Sequence, residues 1–501
     1  MASLKDRYDV IVIGAGIGGL TCGALLAKAG LSVLVAEQHS KPGGYCVSFQ
    51  RKGFTFDAGF DTTLECEKGG VIYDTLDELE LTGEIQFIRL ASPMRILCDD
   101  YDVRMTTLDA VVEELKRLFP TESAGIDGFV ADCRALASEM KRLSEVPADL
   151  LGFAGKLGLM MKFLLKSPHM RRYSGKSSGE VLNMFFREPR VKAIFGTIVP
   201  FGPRAMAPLM MMILGGKAVG YYPEGGAQAL ADIFARGVTK HGGELALKTM
   251  VSRILVEDGT AVGVEVAGGR EIRSRFVVSN ADGRETFLKL IGEQYLAPKL
   301  VKEMRETDLS GSNFLVSLGV DLDLREMGFD GTSIIYNRCN ELDKIFSADL
   351  DHCYLCIKMH SLRDSSQAPS NMATVQLSTC LPYDHMGNWK REKDGTRGEE
   401  YLQLKEAVAN KLIASVEKII PGLANHIVVK DVATPLTFER YTLNSCGASM
   451  GWFPAPGGRM RSQKTPIKNL YQAGAWSFPG ASIYAVVPSG RNAAQLVLKE
   501  A

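Results

Sequence analysis

The chain has 501 residues, more than one ordinary core absorbs, and a unit of ~150 residues suggests about three domain-sized pieces. Hydrophobic residues make up 46% and charged residues 23%, which excludes disordered, collagen-like and coiled-coil classes for the bulk of the protein. Fifty-eight Lys and Arg balance fifty-eight Asp and Glu, so a nucleic-acid-coating surface is not expected and any attraction to a membrane must be local.

The N-terminal residues run straight into an apolar segment, so no secretory signal is expected. No uncharged apolar run reaches the ~18 residues of a spanning helix. Alternating and helical periodicities predict a strand at 8–13, a helix at 17–29 and a second strand at 32–37, a βαβ opening within forty residues. An amphipathic helix follows Gly226, with Leu230, Ile233, Phe234 and Val238 on one face and Gly242 and Gly243 ending it. Residues 244–279 read as a hairpin meander punctuated by Asp258-Gly259 and Gly268-Gly269. The charged stretch 390–400 reads as a loop before a helix striped by Leu404, Val408, Leu412 and Val416. A strand at 469–473 and a helix at 481–498 close the chain. Ten scattered cysteines form no disulfide framework, and the C-x-x-C of Cys353 and Cys356 lacks a second pair at zinc spacing. A reducing compartment is expected.

Gly14-Ala15-Gly16-Ile17-Gly18-Gly19 sits where the first strand meets the first helix. Gly14 suits the tight turn, Gly16 lets a pyrophosphate approach the backbone, and Gly19 lets helix and strand pack closely. The helix N-terminus adds free N–H groups and a positive dipole end. Glu37, ending the second strand and followed by Gln38, stands where a carboxylate accepts ribose hydroxyls. A dinucleotide site is therefore expected.

Further motifs narrow the choice. They are Lys41-Pro42-Gly43-Gly44, Gly53-Phe54-Thr55-Phe56-Asp57-Ala58-Gly59, Tyr222-Pro223-Glu224-Gly225-Gly226 and Arg440-Tyr441-Thr442-Leu443-Asn444. Near the end stand Leu470-Tyr471-Gln472-Ala473-Gly474 and Pro479-Gly480-Ala481-Ser482-Ile483-Tyr484. Together they resemble the FAD-binding superfamily that includes amine oxidases, most closely its branch of phytoene desaturases, carotenoid isomerases and retinol saturases. Ser482, Tyr484 and Ala485 depart from that branch's C-terminal pattern, P-G-A-G-I-P-G-V.

The resemblance implies an α/β fold: a Rossmann-like FAD-binding domain of glutathione-reductase type with a discontinuous mixed-sheet and helical substrate domain. Residues 1–70, 216–292 and 440–501 would form the first, and 71–215 with 293–439 the second, which would also associate with a membrane. Gly14, Ala15, Gly16, Ile17, Gly18, Gly19, Glu37 and Gln38 would hold the ADP half of FAD. Gly43 and Gly44 would line the ribityl–pyrophosphate region, and Val251 would meet the adenine through its backbone. Gly474, Gly480 and Ile483 would sit by the ribityl chain and isoalloxazine. Arg440, Tyr441, Trp452 and Tyr484 would border the flavin and shape its pocket.

No second G-x-G-x-x-G opens a strand–helix unit, so a separate NAD(P) domain is not expected. Cys46 has Arg51 five residues on, which excludes a dithiol flavin reductase. Cys446, twenty-eight residues before Gly474, reads as a small residue in a glycine-rich turn rather than a flavin tether. The seven histidines show no metal-ligand spacing, so no metal is expected, and no residue is assigned a catalytic proton-transfer role.

The stretch 150–166 is apolar, with Lys156, Lys162 and Lys166 within roughly a third of the helical circumference and Phe153, Leu157, Met160 and Leu164 on another face. Between Lys141 and Lys176 eight Lys or Arg face two acids. That pattern suits an interfacial helix drawn to anionic headgroups, and equally a core helix with snorkelling lysines. Residues 193–216, with Met206, Met210, Met211 and Met212, are interrupted by Pro200, Pro203 and Pro208 and read as a tunnel wall or as core.

The family implies hydride exchange at flavin N5 with a long apolar polyisoprenoid, as desaturation, saturation or isomerisation. The alternatives are an amine-oxidase-like enzyme with a smaller substrate, and a non-catalytic prenyl-lipid escort of the GDP-dissociation-inhibitor type. The expected location is cytoplasmic, peripheral on the inner face of a membrane.

Overall fold

The computed structural model describes residues 4–143, 148–198, 201–216, 219–392, 394–458 and 461–501. Two seven-stranded sheets organise it. In the first, the strands Glu244–Ala246, Val33–Ala36, Arg7–Ile13 and Arg270–Ser279 lie side by side in parallel. The first strand is apolar on both faces because both are covered: Val10 and Val12 pack with the helices Ile17–Lys28 and Gly226–Lys240, and Tyr8, Ile11 and Ile13 share a core with the strands Val251–Glu257 and Thr260–Val266. Arg270–Ser279 has two partners along one edge. Residues 270–273 pair antiparallel with Thr260–Val266, and residues 277–279 pair in parallel with the late strand Leu470–Gln472.

The meander is therefore three strands, Val251–Glu257, Thr260–Val266 and Arg270–Ser279. Glu244–Ala246, expected within it, sits at the opposite edge beside Val33–Ala36. It is the return strand of a βαβ crossover through the helix Gly226–Lys240, and parallel pairing places such strands across the sheet rather than in a hairpin.

The second sheet runs Ile427–Ala433, Ser312–Val320, Ala373–Leu381, Leu355–Lys358, Ser333–Tyr336, Met94–Cys98 and Tyr101–Met105. Only the contact between Ser333–Tyr336 and Met94–Cys98 is parallel. Side chains alternate between two cores. Ile334 and Tyr336 pack toward the helix Glu399–Val416, while Ile335 packs with the helices between residues 108 and 215. In that helical layer Phe129 meets Phe186 and Phe195 at 5.3 and 5.0 Å between ring centres.

The segment 193–216 belongs to this layer. It forms parts of two short helices, Pro189–Gly196 and Ala207–Gly215, with Met210 and Met211 buried in the core. Pro200 lies outside the described residues. The stretch 150–166 forms the helix Phe153–Lys166, none of whose residues is buried. All ten cysteines are free.

Candidate active site

A cavity of about 890 Å³ runs between the two sheets. Its floor begins where the first strand ends. Gly14 turns with φ +92°, and its N–H donates to the Ala36 carbonyl at 2.8 Å, which fastens the turn to the second strand. A Cβ on Gly19 would lie 2.2 Å from the Gly14 oxygen, so only glycine lets the helix Ile17–Lys28 start this close to the strand. A Cβ on Gly16 would occupy cavity space 2.8 Å from Asn280 Nδ2.

Glu37 is nearly buried at 8% exposure and lines the cavity. Its Oε2 accepts the Ala15 N–H at 2.7 Å and its Oε1 the His39 N–H at 2.8 Å. A carboxylate offers about four acceptor positions. Two hold the backbone, and those remaining face the space where ribose hydroxyls are expected. Gln38 lines the same space, its Nε2 donating to the Tyr441 carbonyl at 3.3 Å, and the Tyr441 ring meets His39 edge-on at 5.5 Å.

Gly43 bridges back to Gly16, its N–H donating to the Ala15 carbonyl at 2.7 Å, and Gly44 stands over Gly16. Across the cavity, Tyr45 donates its hydroxyl to the carbonyls of Gly447 and Ala448 and stacks on Phe438 at 5.9 Å. Burial pushes that hydroxyl up to about 12, so it stays a donor.

Of the residues expected at the cofactor, Gly14, Gly16, Ile17, Gly18, Glu37, Gln38, Gly43, Gly44, Val251, Gly474 and Ile483 line the cavity. Ala15, Gly19 and Gly480 stand behind its wall: Ala15 holds Glu37, Gly19 packs on Gly14, and the Gly480 N–H donates to the Ser477 carbonyl. Arg440 and Tyr441 line the cavity, whereas Trp452 packs edge-on against Trp476 at 5.0 Å and Tyr484 joins the first core. Cys446 is not in the lining either; it takes φ +56° in the turn Ser445–Gly447.

Asn280 was not anticipated. It follows the strand Arg270–Ser279, and its side chain wedges between the glycine turn and Gly474, where a Cβ on Gly474 would fall 2.2 Å from Asn280 Oδ1. The signal was a polar residue ending an apolar strand, which carries weight only once that strand is known to lie beside Arg7–Ile13.

A second polar group meets the cavity at Asp61. Its Oδ1 accepts from Arg363 Nη1 at 3.0 Å, His360 Nε2 at 3.1 Å and Ser333 Oγ at 2.7 Å. His360 stacks on Tyr222 at 5.0 Å, and Tyr222 donates to Asp57 Oδ2 at 2.7 Å. Burial alone would raise the Asp61 carboxyl, but Arg363, the His360 hydrogen bond and Lys358 hold it well below the usual carboxylate range. Burial pushes the His360 imidazole below its ordinary value. So acidic a carboxyl is a poor proton acceptor near neutrality, which makes Asp61 a fixed charge.

The donor set fits a flavin dinucleotide. Glycines leave a cradle against a helix N-terminus, Glu37 keeps open acceptor positions, and at the far end Ser482 stands in the lining.

Comparison with known proteins agrees. The model for flavin containing amine oxidoreductases matches residues 17–498. A prolycopene isomerase of Daucus carota is 30% identical over 99% of this chain and 81% of its own. An all-trans-retinol 13,14-reductase of Danio rerio is 28% identical over 94% of this chain and 83% of its own. The fold is shared with a putrescine oxidase in complex with putrescine, at a TM-score of 0.65 and 14% identity over 98% of this chain and 99% of that one.

Proposed function

Because the chain belongs to the family of flavin containing amine oxidoreductases and is an FAD-dependent oxidoreductase, we propose that its cavity takes a carotenoid- or retinoid-like polyisoprenoid and desaturates, saturates or isomerises it. Bound there, the flavin supplies hydride exchange at N5. The chain's own part is positional. Gly14, Gly16, Gly18 and the helix N-terminus receive the pyrophosphate, Glu37 the ribose, Val251 the adenine, and Gly474 and Ile483 the ribityl and ring end. In this reading residues 1–70, 216–292 and 440–501 hold the cofactor, and 71–215 with 293–439 hold the substrate.

The observation that carries the substrate reading is the cavity's continuation past the glycine turn. There Val47, Phe49, Leu315, Val432, Ala433 and Phe438 form an apolar wall that excludes water from a hydrocarbon chain. Support for a membrane source comes from the helix Phe153–Lys166. Phe153 is 87% and Leu165 70% exposed, and Leu157, Met160 and Leu164 are exposed with them. No helix among the described residues is long and apolar enough to cross a membrane. The helix would therefore lie on the inner face of a bilayer, with Lys156, Lys162 and Lys166 toward headgroups.

The test is product analysis. The FAD-loaded protein, reduced and oxidised in parallel, is incubated with prolycopene, lycopene and retinol in mixed micelles. A changed double-bond geometry, or a mass change of two hydrogens, is expected for at least one. If all three are recovered unchanged in both redox states, the polyisoprenoid reading fails.

A further inference from the structure

The cavity lining carries the cations Lys41, Arg51, Arg397, Lys405 and Arg440 and the acids Glu37, Asp61, Asp282, Glu285 and Asp431. Arg51 and Asp431 adjoin the apolar wall, Arg51 over the Phe49 ring at 5.1 Å and Asp431 next to Val432 in the strand Ile427–Ala433. Arg51 Nε donates to Asp431 at 2.8 Å, which accounts for the one acid there. Arg397 donates to the Leu436 carbonyl and lies over the Tyr401 ring at 5.5 Å, so its charge is held in place with no ion-pair partner among the described residues. Lys405, half-buried on the helix Glu399–Val416, has no hydrogen-bond or ion-pair partner among the described residues.

A neutral hydrocarbon laid along this wall would strip water from two cations that have no acidic partner among the described residues, and give nothing back. A ligand that ends in an anion replaces that water with charge-assisted hydrogen bonds while its chain lies along Phe49, Val432 and Phe438. We propose that Arg397 and Lys405, with Arg51 beside them, form an anion subsite for the carboxylate or phosphate terminus of an otherwise apolar substrate. The proposal rests on the apolar-cavity reading above and names the head group that reading leaves open.

The experiment titrates FAD-loaded protein with matched pairs, following the flavin absorbance: all-trans-retinoic acid against all-trans-retinol, and geranylgeranyl monophosphate against geranylgeraniol. Each anion is expected to bind at least about tenfold tighter than its neutral partner, with the advantage shrinking in 0.5 M salt, on the order of one charge-assisted contact. The stronger of the two anions identifies carboxylate or phosphate.

Lys405→Gln, which breaks no existing contact, should remove most of the advantage and leave retinol affinity and flavin content unchanged. Arg397→Gln should act the same way. Equal binding of anion and alcohol, or an advantage that survives Lys405→Gln, overturns the subsite while the apolar cavity stands. If neither member of either pair perturbs the flavin, the apolar-cavity reading falls and the subsite with it.

Discussion

The helices Gly226–Lys240 and Phe153–Lys166 are nearly equal in length, and both repeat apolar residues at helical spacing. The first buries nine residues, Leu230, Ile233, Phe234 and Val238 among them, against the parallel sheet and the helix Ile17–Lys28; the second buries none. The amphipathic pattern is the same kind of signal in both. What differs is whether the fold supplies an apolar surface to match it, and that is decided by elements far away in sequence. An apolar stripe that the fold leaves open is a statement about surroundings rather than about the core.

The contrast can be broken or sharpened in four ways. The largest effect belongs to the buried helix. Phe234→Ala should cost about 3–5 kcal/mol of stability, measured by the denaturation midpoint, because the site is fully enclosed. A loss near zero would mean that this helix is no more committed to the core than the exposed one.

Second comes charge on the open helix. Replacing Lys156, Lys162 and Lys166 by Glu should weaken binding to anionic liposomes by at least about a hundredfold, with flavin content unaffected. Equal sedimentation of both proteins with liposomes would refute the interfacial role.

Third, Glu37→Gln should lower FAD affinity by at least about tenfold, read by flavin retention through dialysis, since the amide is a weaker acceptor for ribose hydroxyls. Glu37→Ala should in addition destabilise the fold by about 1–3 kcal/mol, because the buried N–H groups of Ala15 and His39 lose their acceptor. Full flavin occupancy in both variants would mean that the carboxylate serves only the backbone.

The smallest effect is the most discriminating. Phe153→Ser with Leu165→Ser should leave stability within about 0.5 kcal/mol and still impair liposome binding. A melting temperature lowered by many degrees would show that these side chains pack on something after all.

What could be read from the sequence follows the same division. Gly14, Gly16, Gly19 and Glu37 announce themselves because strand, turn and helix are contiguous there, and a short-range pattern suffices. Asn280 reaches the turn only through the parallel pairing of residues 273–279 with the first strand, a contact across more than two hundred and sixty residues. The Asp57–Tyr222–His360–Asp61 group joins three separated segments; Asp57 and Tyr222 stand in motifs of the sequence, but no spacing links those motifs to each other or to His360 and Asp61. The second sheet is harder still. Met94–Cys98 pairs with Ser333–Tyr336 and both are short; Ser333–Tyr336 is buried on both faces because two cores meet across it, which erases the alternation that marks a half-exposed strand. Glu244–Ala246 shows the converse: a strand visible in sequence, but assigned to the neighbouring hairpin because proximity along the chain was the only guide.

The divided edge of Arg270–Ser279 sets an order of events during synthesis. Its first half finds a partner at once in the hairpin just made, whereas its second half waits for Leu470–Gln472, some 190 residues downstream. At roughly 5–20 residues per second, that leaves the site beside Asn280 without Gly474 for about 10–40 s. A nascent chain can thus assemble the glycine turn and Glu37 early but cannot enclose a flavin until Leu470–Gln472 and Gly474 have emerged. Cofactor capture is consequently a late step in the making of each new molecule, and chains stalled before Leu470 should carry none.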